Sequence, residues 1–296
     1  MEIVHASGNT WYIPGPTNLG VFATGKRAVL IDSGNDESAG RKIMKTLREK
    51  DLEVSIIVNT HSNADHVGGN AFIQKRTGCR IAATRSEAAF IEEPRLESAL
   101  LWGAAPFREI SGKFLQAQPS HVTDVILPFG PIMDTGLDAV PLPGHFLDMI
   151  GVMTPDNVFF IADSLFSSSI LDKYGLVVCF DVAGQIRTLG HLEKAGAELF
   201  IPCHAEPARD IVPLVRRNRD SLEQTMEIIL ESCASPTSRE DILAELVRRF
   251  GITLTSAQYV LTHITVSAHI SFLADEGKLE PVFCDGKMLW EAVQGA

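Results

Sequence analysis

Positive charge is scarce in this chain. Lys and Arg number 26 against 37 Asp and Glu in 296 residues, a formal net charge of −11. That balance disfavours nonspecific nucleic-acid binding, which needs many cations against phosphates. Cysteine is scarce too. The five present are widely spaced and odd in number, which argues against a disulfide framework and for reduced thiols in a cytoplasm. No apolar run approaches the ~18 residues of a membrane-spanning helix. The opening Met1-Glu2-Ile3-Val4-His5 lacks the basic and apolar regions of a signal peptide. A cytoplasmic protein with no membrane or nucleic-acid partner is the expectation. What is present is ordinary for a globular protein: 45% hydrophobic and 21% charged residues, in a length sufficient for one large domain or two.

The informative stretch is His61-Ser62-Asn63-Ala64-Asp65-His66, two imidazoles and a carboxylate in a short loop. It follows Val54–Val58, which reads as a buried strand, and precedes Val67-Gly68-Gly69, where a helix can begin. Histidine nitrogens and carboxylate oxygens suit a borderline metal such as zinc, so this loop is a candidate metal site. It has company at the ends of later apolar segments: Pro143-Gly144-His145, Ala162-Asp163-Ser164 and Pro202-Cys203-His204.

That ordered set resembles the metallo-β-lactamase superfamily, whose pattern is an HxHxDH loop, a single His, a bridging Asp and a last His. Val29-Leu30-Ile31-Asp32-Ser33-Gly34 is similar to the family's upstream strand ending in a structural Asp. The resemblance covers about residues 1–210. It implies an α/β fold, an αββα sandwich whose ligand loops meet at one edge. It also implies that His61 and His145 serve a first metal position, with Asn63 standing where the family has its middle His. Asp65, His66 and His204 would serve a second position, and Asp163 would bridge the two. Asp65 and Asp163 are then the catalytic candidates, orienting a metal-activated water.

The implied cofactor is zinc, one or two ions, with iron and manganese as alternatives that accept oxygen ligands. Because an amide oxygen is a weaker zinc ligand than an imidazole, the second position is expected to hold metal more tightly than the first. The implied activity is hydrolysis of a small acyl compound (thioester, lactone or ester), as in glyoxalase-like and lactonase-like members. Pro143-Gly144-His145, with Gly151 six residues on, fits their pattern. Three other readings compete. A degenerate scaffold would have lost catalysis and kept a partner-binding module. A nuclease of the same superfamily would need both metals and a basic surface. A di-iron enzyme would need a carboxylate at position 63 and a flavin partner.

Other residues have blander readings. Cys203 reads as a small packing residue, and Tyr174 as either a substrate contact or a buried side chain. His5, His121, His191, His263 and His269 lack partners at ligand spacing. Trp102, Phe107 and Phe114 lie in an irregular stretch, 85–120, and read as core caps, with a substrate lid as the alternative.

The expected organisation is a catalytic domain over 1–210, a connecting helix over 211–235 and a separate module over 236–296. A helix is expected near 66–76, and another over Ser86–Leu101 broken by Pro94. In the last segment Ser238 resembles an N-cap and Asp285-Gly286 a two-residue hairpin turn. Three helices followed by a hairpin resemble a winged helix. Yet residues 236–296 carry five basic against eight acidic side chains, and 257–274 contains no Lys or Arg. DNA readout is therefore not expected. A role at the substrate mouth or in a homodimer contact is.

Overall fold

Alternation along the strands builds the fold. In the computed structural model, which describes residues 1–293, strands β1 (Val4–Ser7), β2 (Thr10–Ile13), β3 (Leu19–Thr24), β4 (Arg27–Ile31), β5 (Glu53–Val58), β6 (Arg80–Thr84) and β7 (Asp124–Ile126) form one sheet in sequence order. It is antiparallel up to β4 and parallel from β4 to β7. Ala28 and Leu30 point to one face and Val29 and Ile31 to the other, as a period of two requires. The first face packs under helices α1 (Glu37–Arg48) and α3 (Asn70–Thr77) through Ile43, Leu47 and Ile73. The second face meets another sheet.

That second sheet holds β8 (Gly130–Pro131), β9 (Asp138–Pro141), β10 (Ile150–Met153), β11 (Val158–Phe160) and β12 (Leu199–Ile201), in the order β12-β11-β10-β9-β8. Val29, Ile31, Ile56 and Val58 interdigitate with Ile150, Val152, Val158 and Phe160 between the sheets. The outer face of the second sheet packs on α7 (Val182–Leu192) and α8 (Val212–Ser232) through Leu189, Leu192 and Val215. The expected αββα sandwich is therefore what the chain forms.

The expected single helix near 66–76 is in fact two, α2 (Ala64–Val67) and α3, parted at Gly68-Gly69. The break has a packing reason. A Cβ on Gly68 would lie 2.2 Å from the Asn35 carbonyl carbon, and one on Gly69 2.3 Å from the Ser33 oxygen. This approach lets Ser33 N donate to His66 O at 2.7 Å, fastening the ligand loop to the end of β4. Gly69→Ala is expected to cost ~1–3 kcal/mol by overpacking. A denaturant midpoint unchanged from the parent would contradict that close approach.

The break at Pro94 is as expected, between α4 (Arg85–Glu92) and α5 (Arg95–Trp102). Strands β2 and β8 and helix α6 (Ser168–Tyr174) lack a readable signal in the sequence, being short. The connecting helix expected over 211–235 runs from Val212 to Ser232. Beyond it lie α9 (Arg239–Phe250), capped by Ser238, and α10 (Ser256–Asp275). The hairpin of β13 (Leu279–Cys284) and β14 (Lys287–Ala292) turns at Asp285-Gly286, both at positive φ. Helix α10 reaches back towards the sandwich. Val260 packs with Leu101, Ile110 and Leu115, and the Thr265 hydroxyl accepts from Cys179 N at 3.2 Å.

Candidate metal centre

The strand ends deliver the site. At the end of β4, Asp32 turns the chain with φ 60° and is only 1% exposed. Its carboxylate accepts from Thr60 N at 2.8 Å, from the Thr60 hydroxyl at 2.7 Å and from His66 Nδ1 at 2.8 Å. Having donated to Asp32, the Thr60 oxygen is free to accept from His61 Nδ1 at 3.1 Å. One buried carboxylate thus sets two rings, His66 directly and His61 through a hydroxyl. On the other side, His145 Nδ1 meets Val178 O at 3.1 Å and His204 Nδ1 meets Pro16 O at 2.8 Å.

All four imidazoles are therefore tied outward by Nδ1, with Nε2 turned inward. Such outer partners fix a histidine's tautomer and leave the other nitrogen as a lone-pair donor. The inward atoms meet Asp163. Its Oδ1 lies 3.1 Å from His66 Nε2, and its Oδ2 lies 3.1 Å from His204 Nε2 and 3.6 Å from His145 Nε2. Asp65 Oδ2 lies 3.3 Å from His204 Nε2 and accepts the Thr17 hydroxyl at 2.8 Å. His61 Nε2 and His66 Nε2 are buried with no hydrogen-bond partner. Two sets, His61/His145/Asp163 and Asp65/His66/His204, each hold three donor atoms within 4.8 Å of one another. Nitrogen and carboxylate donors converging this way fit a divalent ion.

Asp32, His66 and Cys203 also lie within 4.8 Å. There Asp32 already accepts from the His66 ring, so that set is hydrogen bonding and packing. Burial pushes the Cys203 thiol up to about 12, which keeps it neutral. His5, His121, His191, His263 and His269 stand outside every such set among the described residues.

Charge divides the two positions. Burial pushes His61 well below its ordinary value and lowers His145 as well. Burial also opposes charge on His66 and His204, but the surrounding carboxylates outweigh it. Asp163, Asp65 and Asp32 hold His66 well above its ordinary range, and Asp163 and Asp65 push His204 up to about 10. Without an ion, protons on these two rings neutralise the carboxylates. Raised pKa values in the folded state give stability that is full below the ordinary 6.5 and lost as pH rises towards about 10. The metal-free chain is therefore expected to melt at a lower temperature at pH 9.5 than at pH 6.5, and zinc to remove most of that difference. A metal-free melting temperature equal at both would contradict this pairing.

Three residues near the centre carry no motif in the sequence. Glu87 is fully buried on α4, and burial pushes its carboxyl up to about 7. Its two oxygens accept from Ser62 N and Asp148 N, each at 2.9 Å, stapling the His61 loop to the His145 loop. Glu97 on α5 accepts from Asn63 Nδ2 at 2.9 Å. Phe166 stacks on His204 at 5.7 Å and sits 5.8 Å from His145, forming an apolar wall. For the two glutamates a signal existed: each lies four residues before a core residue, Ile91 or Leu101, and so on the buried side of its helix.

Two expectations need correction. Trp102, Phe107 and Phe114 are 43%, 41% and 70% exposed and do not cap a core; Leu101, Ile110 and Leu115 fill that role. Tyr174 is not buried, and its ring lies against Lys173 Nζ at 4.7 Å.

The profile of the metallo-beta-lactamase superfamily matches residues 12–204, from β2 to the last histidine of the site. The chain belongs to this superfamily. Among solved structures, a metallo-beta-lactamase family protein from Thermus thermophilus superposes with a TM-score of 0.74 at 19% identity, covering 96% of this chain and 99% of its own. A beta-lactamase domain protein from Burkholderia ambifaria gives 0.73 at 18% identity, over 99% and 94%. Both likenesses concern the fold. A hydroxyacylglutathione hydrolase from Nitrobacter winogradskyi is 26% identical over 155 residues, 51% of this chain. The chain spans about half the length of that relative, 49%. Among the described residues no helix is long and apolar enough to cross a membrane.

Proposed function

We propose that the protein is a metal-dependent hydrolase of a small acyl compound, with a thioester as the first choice and a lactone or ester as alternatives. The carrying observation is the convergence of three inward Nε2 atoms on Asp163, with a ligand atom of His61 within 4.8 Å, so that its carboxylate faces both candidate positions. A divalent ion held there would supply a water acidified towards neutrality and an electrophile for the acyl oxygen. Zinc suits the nitrogen-rich donor set best, and iron or manganese remain alternatives.

The chain's own groups do the rest. His61 and His145 with Asp163 would hold the first position; Asp65, His66 and His204 with Asp163 would hold the second. Asp65 is 39% exposed, the most open of these side chains, and Thr17 fixes the direction of its Oδ2. It therefore stands at the mouth, where it would orient the attacking water. Phe166 covers the ring of His204 and keeps that side of the substrate dry. The name of the hydroxyacylglutathione hydrolase supports the thioester choice, since it describes a glutathione acyl compound.

The reading extends to organisation. Residues 1–210 form the catalytic domain, 211–235 the connecting helix and 236–296 a winged-helix-like module that braces the site. Thr265 on α10 holds Cys179, the neighbour of the Val178 carbonyl that orients His145. Small thioesters, lactones and esters offered to the zinc-loaded chain, with and without chelator, test the function. Chelator-sensitive turnover of one class supports it; turnover indifferent to chelator overturns it.

A further inference from the structure

Asn63 replaces an imidazole in the ligand loop, and its surroundings say which of its two ends faces the centre. Its Nδ2 points away, to Glu97 Oε1 at 2.9 Å. Its Oδ1 points in, 2.9 Å from His145 Nε2. Glu97 is 5% exposed, and among the described residues the Asn63 amide is its carboxyl's one hydrogen-bond partner. Burial holds this carboxyl well above its ordinary range, but its Oε1 accepts from Asn63 Nδ2 in either protonation state, and that contact turns the amide oxygen inward.

The contact with His145 is informative as well. A neutral imidazole carries one N–H, and Val178 O lies at 3.1 Å from Nδ1 to take it. Without a cation His145 Nε2 and Asn63 Oδ1 share the 2.9 Å hydrogen bond; with that N–H on Nδ1, both would present lone pairs to a cation at the same point. Two donors 2.9 Å apart are spaced as neighbouring ligands around one cation with bonds of about 2.1 Å. The relation repeats what Asp32, Val178 O and Pro16 O do for the four rings: an outer acceptor ties one end, and the inner end is left to donate.

Resting on the metal-hydrolase reading, we propose that Glu97 is a positioning residue that fixes the Asn63 carboxamide with its oxygen as a ligand of the first metal position. That position then has two imidazole nitrogens, from His61 and His145, and two oxygens, from Asn63 and Asp163. It suits a harder ion than the usual three-imidazole arrangement, so manganese gains there relative to zinc.

Metal titration of the full metal-free chain against a chromophoric chelator, with zinc and with manganese, tests this apart from activity. Glu97→Leu is expected to weaken one of two equivalents by ~10–100-fold, the usual effect of losing an outer partner of a ligand. The other equivalent stays within about threefold. Glu97→Gln, which can still accept from Asn63 Nδ2, restores most of the loss. Asn63→Ala shows the same loss, and adding Glu97→Leu to it makes nothing worse. Should Glu97→Leu not fold, Glu97→Ala, which leaves room for water, takes its place.

Unchanged affinity in the Glu97 variants overturns the proposal while leaving the metal-hydrolase reading intact. So does Asn63→Ala retaining the affinity that the Glu97 variants lose, since Glu97 would then be the ligand itself. A parent chain that takes up no metal overturns both.

Discussion

Asp163→Ala is expected to abolish chelator-sensitive hydrolysis and to weaken both metal equivalents by more than ~100-fold, beyond the effect of losing an outer partner. Its two oxygens face three Nε2 atoms at 3.1 to 3.6 Å, which puts it against both candidate positions. Burial alone would raise this carboxyl, but His204 and His66 outweigh it and hold it well below the carboxylate range. Removing it therefore has a second effect. His66 and His204 lose their largest charge partner, so they titrate nearer their ordinary values. The stability of the metal-free variant then varies less between pH 6.5 and 9.5 than that of the parent. Asp163→Asn separates the two roles, keeping the volume and removing the charge. Titration calorimetry and melting curves on the three chains measure both effects. A variant keeping one tight, catalytically active equivalent would contradict the bridging role.

Asp32→Ala is expected to be the most destabilising change outside the donor set. Thr60 N, the Thr60 hydroxyl and His66 Nδ1 all lose their acceptor in a site that excludes water. Breaking a buried charged network of this kind costs about 3–5 kcal/mol. The residue also sits at φ 60°, which Ala tolerates less well than Asp. The rings of His66 and His61 lose the group that fixes their tautomers, so metal affinity falls by ~10–100-fold in the folded fraction. Asp32→Asn keeps one acceptor oxygen and the tolerance for positive φ, and should fall between. Denaturant midpoints and chelator competition read the two effects separately. An alanine variant as stable as the parent would show that Asp32 does not organise the loop.

Much of this centre was legible because metal chemistry restricts residue types. His61, Asp65, His66, His145, Asp163 and His204 stood out by identity and order at the ends of apolar strands, and the fold brings them together. The sandwich was legible because residues such as Val29 and Ile31 alternate with Ala28 and Leu30, and each pair reaches a different core. Glu87 and Glu97 showed only through their spacing four residues before Ile91 and Leu101, and Phe166 did not show at all. Acidic and aromatic side chains are common on helices and loops, and which way they face depends on how α4, α5 and the segment after Asp163 pack. The exposure of Trp102, Phe107 and Phe114 escaped for the same reason: the neighbouring Leu101 and Ile110 took the inward positions. The split between α2 and α3 was hidden because Gly68-Gly69 is compatible with a helix until the loop after β4 presses against it.

Metal content per chain tests the central claim most directly. The full chain, purified without added metal and again after reconstitution, would be measured by elemental analysis alongside thioester hydrolysis before and after chelation. At least one equivalent of zinc, iron or manganese, with turnover lost on chelation and regained on reloading, is the predicted result. A chain that binds no divalent metal even after reconstitution would contradict the hydrolase and the metal centre together.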